Sequence, residues 1–492
     1  MRGPLHQVAE EMGMSLDEKV AGVSAAAPTE AGLKPVPFQV TDPERIAAKR
    51  YYDEAFYRLE CERLWPHVWQ YACRLEQIPN VGDWIEYKNL GKSVVVVRTR
   101  EGVKAYENTC RHRGVKLAQG HGNCETSGFT CPFHGWRWDL NGKNTFVYGR
   151  GMFSERQLDQ ADLNLPQLRV ETWGGCAFIN YDHDAPPLRE TLGPIAERLE
   201  AHNLHLARAE WSYITILPAN WKLAMEAFME GYHTFATHPQ LYQSADFLYR
   251  HNYELGKAAP GKATLPLSKT LSVRESIDAF VKHLEGVSEG MAGMCHAKDA
   301  ATARALVGID LPEDPVEAFM TWLGVLNDEV TKQGRARGEP TPDLNVVDQT
   351  HPVKAVNFIF PHTFFLPTLS SFSAYRIRPL GPEKCLFELW SLTLFPEGQE
   401  PPPVMEPTFL AYDSPDYPLI PQQDYANIPR QQEGLHADGF EFMRLGYDIE
   451  GLISNFHRTV DGYIGGASAQ KLAEASAKLG DNFDGPILDL EL

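Results

Sequence analysis

Residues 110–138 read CRHRGVKLAQGHGNCETSGFTCPFHGWRW, in which Cys110-x-His112 is followed, after eighteen residues, by Cys131-x-x-His134. Each half offers one thiolate and one imidazole. Thiolates suit the soft irons of an iron–sulfur centre, and replacing two of four cysteines with histidines on one iron raises the reduction potential. Such a centre passes single electrons. Two Cys and two His can also close a structural zinc site. The order favours iron and sulfide, because each half is Cys followed closely by His, so two loops can each offer one ligand to each iron. Gly114, Pro132 and Gly135 fit two tight loops of that kind.

A second constellation lies in NWKLAMEAFMEGYHTFATH, residues 220–238, where Glu230, His233 and His238 are spaced to lie near one another at a helix. Two histidines and one distant carboxylate make the facial triad of non-haem Fe(II) oxygenases, which leaves open positions for O₂. Taken alone, a histidine pair is more often two satisfied core residues than a metal site.

The elements that must hold these residues follow from periodicity. Residues 1–40, rich in Ala, Pro, Glu and Gly, read as a flexible extension. Residues 41–66 form a helical lead-in to the larger domain: Asp42 to Leu64 has the acidic start and apolar spacing of one or two amphipathic helices that end before Pro66. Residues 67–170 carry short β-rich runs such as Ser93–Val97 between Gly, Asn and Asp turns, the signature of a small all-β domain. Residues 171–492 alternate strands with long helical segments and read as α+β, an antiparallel sheet flanked by helices. Within them, residues 244–347 look like an insertion that forms a cap or an oligomer contact, and a long helical stretch follows Pro421.

At 492 residues the chain exceeds what one core usually serves, and 43% apolar with 23% charged residues is ordinary for a globular protein. A formal charge of −19 argues against nucleic acid or an anionic membrane as partner. No leader-like or membrane-spanning run is seen, so a cytoplasmic location is expected. Eight cysteines are too sparse for a disulfide scaffold. Cys61, Cys73, Cys176, Cys295 and Cys385 have no partner at ligand spacing and read as small buried hydrophobes.

The first motif, C-x-H-R-G followed by C-P-x-H-G-W, closely resembles that of the Rieske non-haem iron aromatic-ring-hydroxylating oxygenases, catalytic α subunit. N-W-K followed by Glu226, Glu230, Tyr232-His233 and His238 resembles the mononuclear iron motif of the same family. The resemblance implies a [2Fe-2S] cluster with one iron on Cys110 and Cys131 and the other on His112 and His134. Cys124 and His121 match no ligand position. It also implies a mononuclear Fe(II) on His233 and His238 with a third carboxylate far downstream. Asp424-Tyr425-Ala426-Asn427 fits the family's D-x-x-N ahead of a helix with Gln431 and Gln432, with Asp413, Asp416 and Glu433 as rivals. Two positions depart from the pattern. Ala227 replaces a common Asn, and Glu230 replaces the Asp that many ring dihydroxylases carry. By resemblance that acid is catalytic, bridging His134 of a neighbouring subunit to His233, and related enzymes that attack quaternary amines carry Glu there.

The implied activity is hydroxylation of a hydrophobic, aromatic or polycyclic substrate by O₂, in a homotrimer or an α3β3 assembly. Oxidative O- or N-demethylation and quaternary-amine monooxygenation are the alternatives. The chain has no Gly-x-Gly-x-x-Gly at a strand–helix junction, so a separate ferredoxin or NAD(P)H-dependent reductase must deliver electrons. Arg111, Arg113, Lys116, Arg137 and Lys143 either steer an acidic ferredoxin or, in part, anchor loops or pair across subunits. The non-enzyme readings are a pure electron carrier and a zinc-stabilised binding protein.

Overall fold

Asp42–Leu64 departs from the helix that its apolar spacing predicts. In the computed structural model, which describes residues 33–241, 271–291 and 293–492, strand β1 (Arg45–Ala47) comes first and pairs antiparallel with a strand far along the chain, Phe442–Arg444. Ile46 is fully buried by that pairing, a tertiary contact that overrides local helical preference. Helix α1 (Glu54–Leu59) begins where the Asp53 side chain accepts the Phe56 N–H at 2.8 Å. A π turn, Glu60–Leu64, continues it, and Pro66 sits in the first turn of the short 3-10 segment that follows, where its missing N–H costs nothing. Residues 1–32 of the expected extension and 244–270 of the expected insertion lie outside the described residues.

Val94, Val95, Val96 and Val97 are all buried, so their strand is covered on both faces. It belongs to a sheet that takes in β2 (Gln70–Arg74), β3 (Asp83–Asn89), β4 (Lys92–Thr99), β5 (Gly102–Glu107) and β6 (His121–Asn123). A small three-stranded sheet follows, β7 (Phe129–Thr130), β8 (Arg137–Trp138) and β9 (Asn144–Phe146). Strands β10 (Gln167–Trp173) and β11 (Cys176–Asn180) then complete the first sheet, in the order β2-β11-β10-β5-β4-β3-β6. Trp136 and Trp138 pack with Val95, Val97 and Tyr106 under the small sheet, and each such buried side chain contributes about 1.5–3 kcal/mol.

The second half is built on a six-stranded sheet. Strand β12 (Arg208–Leu217) leads into helix α2 (Trp221–Glu226), and helices α3 (Val273–Met291), α4 (Ala297–Ala305) and α5 (Pro315–Ala336) follow. Strands β13 (Asn357–Ile359), β14 (Thr363–Thr368), β15 (Ser371–Gly381), β16 (Lys384–Thr393) and β17 (Thr408–Phe409) complete the sheet in the order β13-β14-β15-β16-β12-β17, antiparallel except for β12 with β17. Helix α6 (Leu419–Gly434) packs on α3, and α7 (Gly451–Gly465) and α8 (Ala469–Leu479) close the chain. The single helical stretch expected after Pro421 is two helices, α6 and α7, divided by the strand Phe442–Arg444.

Three buried ionic side chains join the sheets. Arg376 Nε donates to Glu388 Oε2 at 2.8 Å, while Arg376 Nη1 donates to the Tyr71 carbonyl at 3.1 Å. Arg378 pairs with the other oxygen of Glu388 and donates to the Lys88 carbonyl. A buried carboxylate with two guanidinium partners is compensated, and its ionised form is held below the usual carboxylate range by both arginines against the cost of burial.

Candidate metal centres

Two loops, one between β5 and β6 of the first sheet and one between β7 and β8 of the small sheet, repeat one backbone pattern. Cys110 N–H donates to the Val115 carbonyl at 2.8 Å and Gly114 N–H to the Cys110 carbonyl at 3.0 Å. Cys131 N–H donates to the Trp136 carbonyl at 2.8 Å and Gly135 N–H to the Cys131 carbonyl at 3.0 Å. Gly114 and Gly135 take φ of +75° and +69°, the left-handed region that closes each turn. The loops face each other. His112 and His134 bring their Nδ1 atoms to 3.2 Å, and the His112 ring stacks on Trp136 at 4.9 Å. Burial pushes the Cys110 thiol up to about 11, and the neighbouring Cys131 adds to the shift. Two thiols in contact and two imidazole nitrogens turned on each other form a donor set that needs positive charge between its members, which suits an iron–sulfur cluster. Cys124 is buried nearby without joining them, and His121 is exposed on β6.

The residues predicted for the second metal also converge. His233, His238 and Asp424 present ligand atoms all within 4.8 Å of one another, the one such cluster among the described residues. His238 Nε2 lies 3.1 Å from Asp424 Oδ1, and His233 Nε2 lies 3.8 Å from it. The local structure differs from the single helix suggested by spacing: α2 ends at Glu226, and a short helical turn, Thr234–Thr237, separates the two histidines. Asp424 stands inside α6 instead of ahead of it. Its rivals Asp413, Asp416 and Glu433 are exposed, as is Asn427.

Both imidazoles are held by their far nitrogens. Glu230 Oε1 lies 2.7 Å from His233 Nδ1, and Gln423 Oε1 lies 2.7 Å from His238 Nδ1. A carboxylate or amide oxygen there keeps the proton on Nδ1 and turns an unprotonated Nε2 towards Asp424, the tautomer a metal requires. Burial works against charge on His233, but the hydrogen bond and charge of Glu230, with Asp424 and Asp484 beyond it, outweigh this and raise its pKa. Gln423 had no signal in the motif. It is the residue before the downstream aspartate, and Gln240 orients its amide by donating to Oε1 at 2.8 Å.

The N-W-K that heads the second motif is structural. The Asn220 side chain caps α2 by accepting the Lys222 N–H at 2.9 Å, and Asn220 N–H donates to Gln432 of α6 at 2.8 Å. Trp221 Nε1 donates to Glu60 Oε2 at 3.1 Å, and Lys222 Nζ pairs with Glu60 Oε1 at 2.7 Å with both side chains fully buried. The π turn of the lead-in is thereby clamped to the helix that precedes the triad. Glu226 is likewise buried, accepting from Tyr51 Oη at 2.8 Å. Arg50 Nε donates to His457 Nδ1 at 3.0 Å, so the His457 ring proton is on Nε2, 2.7 Å from Glu226 Oε1. No sequence pattern announced this network, whose members are hundreds of residues apart.

A cavity of about 360 Å³ opens on the triad. Its apolar wall includes Phe228, Phe280, Val287, Met291 and Leu366, while Glu230, Asp424 and Asp484 are its acidic members. No described lining residue is Lys or Arg.

A model of the Rieske [2Fe-2S] domain matches residues 68–147, and a model of the ring hydroxylating alpha subunit (catalytic domain) matches residues 197–466. The chain belongs to the ring-hydroxylating α-subunit family. That membership implies a Rieske cluster and a mononuclear iron. The carnitine monooxygenase oxygenase subunit of Escherichia coli is 30% identical over 200 residues, 39% of this chain and 52% of that protein. The biphenyl 2,3-dioxygenase subunit alpha of Rhodococcus jostii is 34% identical over 203 residues, 39% of this chain and 43% of that protein. The matched segments span about half the length of these curated relatives. A solved naphthalene 1,2-dioxygenase variant bound to phenanthrene has a TM-score of 0.57 at 19% identity, covering 92% of this chain and 96% of that one, a likeness of fold.

Proposed function

We propose that the chain is the catalytic subunit of a Rieske oxygenase that hydroxylates a neutral, hydrophobic, aromatic molecule. The carrying observation is the triad of His233, His238 and Asp424, with both Nδ1 protons held outwards, opening on a cavity walled by apolar and aromatic side chains. Cys110, Cys131, His112 and His134 hold the cluster; His233, His238 and Asp424 hold the iron; residues 67–170 and 171–492 are the corresponding domains. When bound, these groups supply single-electron transfer and O₂ activation.

The chain's own residues set the conditions. Glu230 and Gln423 fix the imidazole tautomers, and the apolar wall excludes bulk water from the substrate's side. Around the cluster loops the side chains of Phe133, Phe146, Tyr148 and Met152 are exposed, with Arg113 over the Phe133 ring and Arg137 over Phe146. Aromatic, Met and Arg side chains are the composition of a protein contact. It supports docking of a second subunit, in a homotrimer, and of a separate electron donor. Arg111 and Lys116 act locally, donating to the Asp162 carbonyl and pairing with Glu86. Glu230, 2.7 Å from His233, is then the link to the neighbour's His134.

A quaternary-amine monooxygenase is the second reading, favoured by Glu230 itself, by acidic residues without a described lining cation, and by similarity to carnitine monooxygenase. Single turnover of reduced, iron-loaded protein with isotopically labelled O₂ separates the two. Label is expected in a bicyclic arene and not in an aryl carboxylate. Label appearing only in products of a trimethylammonium compound establishes the second reading, and label in neither refutes both.

A further inference from the structure

Tyr375 lines the cavity, and Tyr425 follows Asp424 directly on α6. From Tyr375 a file of rings runs outwards. Its ring centroid lies 5.5 Å from Phe387, which lies 5.3 Å from Tyr425, and Tyr425 lies 5.1 Å from Tyr417. Tyr417 lies 5.7 Å from Tyr213, and Tyr213 lies 4.9 Å from Trp211. Tyr375, Tyr417 and Tyr425 are buried, whereas Tyr213 and Trp211 on β12 are half-buried and reach solvent. Five of the six rings are phenol or indole, the aromatic side chains that give up an electron most readily. Phe387 does not, and serves as a bridge, its ring centroid 5.5 Å from that of Tyr375 and 5.3 Å from that of Tyr425.

We propose that this file is an exit path for oxidising equivalents formed when O₂ is reduced at the triad with no substrate in the cavity. The proposal rests on the triad's assignment as the iron site. A hydroxyl-radical oxidant takes a hydrogen atom from the Tyr375 phenol and becomes water. The phenoxyl is refilled by an electron and a proton, and the vacancy passes through Tyr425, Tyr417 and Tyr213 until Trp211 has lost an electron and its indole proton. A solution thiol returns a hydrogen atom to Trp211, and two resulting thiyl radicals join as a disulfide. The net change is that oxidant plus thiol gives water plus half a disulfide, with every ring restored. Met291, whose sulfur accepts from Tyr375 Oη at 3.5 Å, and the rest of the cavity wall are spared.

Full-length protein loaded with Fe(II), without organic substrate or thiol, is treated with hydrogen peroxide as probe, alongside iron-free protein. Peptide mass spectrometry locates oxidised side chains, and freeze-quenched electron paramagnetic resonance identifies tyrosyl and tryptophanyl radicals. Oxygen addition at Trp211 is expected only with iron. In Tyr417→Phe/Tyr425→Phe, checked by circular dichroism for native structure, it falls several-fold while oxidation of Met291 rises. Iron-independent oxidation of Trp211, or unchanged oxidation in the double variant, overturns the relay. Iron bound at the triad with Trp211 left intact overturns it too and leaves the site standing, whereas iron content unaffected by His233→Ala overturns both.

Discussion

Glu230 grips His233 twice: Oε1 lies 2.7 Å from the ring Nδ1, and Oε2 accepts the His233 backbone N–H at 2.9 Å. One carboxylate therefore sets both the orientation of the residue and the tautomer of its ring. Glu230→Gln keeps the shape and removes the charge. Turnover is expected to fall about 10–100-fold with iron retained, and stopped-flow oxidation of the cluster should slow in step. An unchanged rate would show that Glu230 only packs.

His233→Ala removes one of the three converging ligand candidates. The iron of the triad should be lost while the acid-labile sulfide and the red-brown colour of the cluster persist. Metal analysis with an absorption spectrum reads both at once. Zinc without sulfide in the wild type would contradict the assignment of both centres.

Lys222→Met leaves Glu60 as a buried charge without its partner, since the two side chains are fully enclosed. The cost is about 3–5 kcal/mol in urea unfolding. Adding Glu60→Gln should restore most of it, because the pair and not either member is what burial tolerates. Activity should follow stability, the pair being remote from substrate.

Burial raises the Glu226 carboxyl to about 8. The folded protein thus holds a proton that the unfolded chain releases near the ordinary value of 4.5. Stability from this group is complete below that value and declines as pH rises towards 8, by on the order of a few kcal/mol. Glu226→Gln should match wild type in acid and exceed it at alkaline pH. A urea midpoint series across pH that shows parallel curves would remove Glu226 as the titrating group.

The two cluster loops were legible because each is local: Cys, His, Gly and the turn between them fall within a few residues, so spacing alone encodes the geometry. His233 and His238 are also close in sequence, but their spacing alone reads as two core histidines, and it took the resemblance to single them out. Asp424 needed the resemblance, since nothing in 185 intervening residues announces which acid folds back, and Gln423 gave no signal at all. Lys222 and Glu226 stand in the second motif, but nothing in the sequence joins them to Glu60 and His457; only the tertiary fold buries the four together. The strand at Ile46 was misread because a partner nearly 400 residues away outvotes a helical pattern.

Helix α3 supplies Phe280, His283, Val287 and Met291 to the cavity, steps that keep one face of a helix, yet it supplies none of the three metal-ligand candidates. Natural drift or laboratory selection can therefore re-letter this one stripe to fit a new molecule while the chemistry stays intact. A library confined to these four positions samples substrate range and leaves the three metal-ligand candidates untouched.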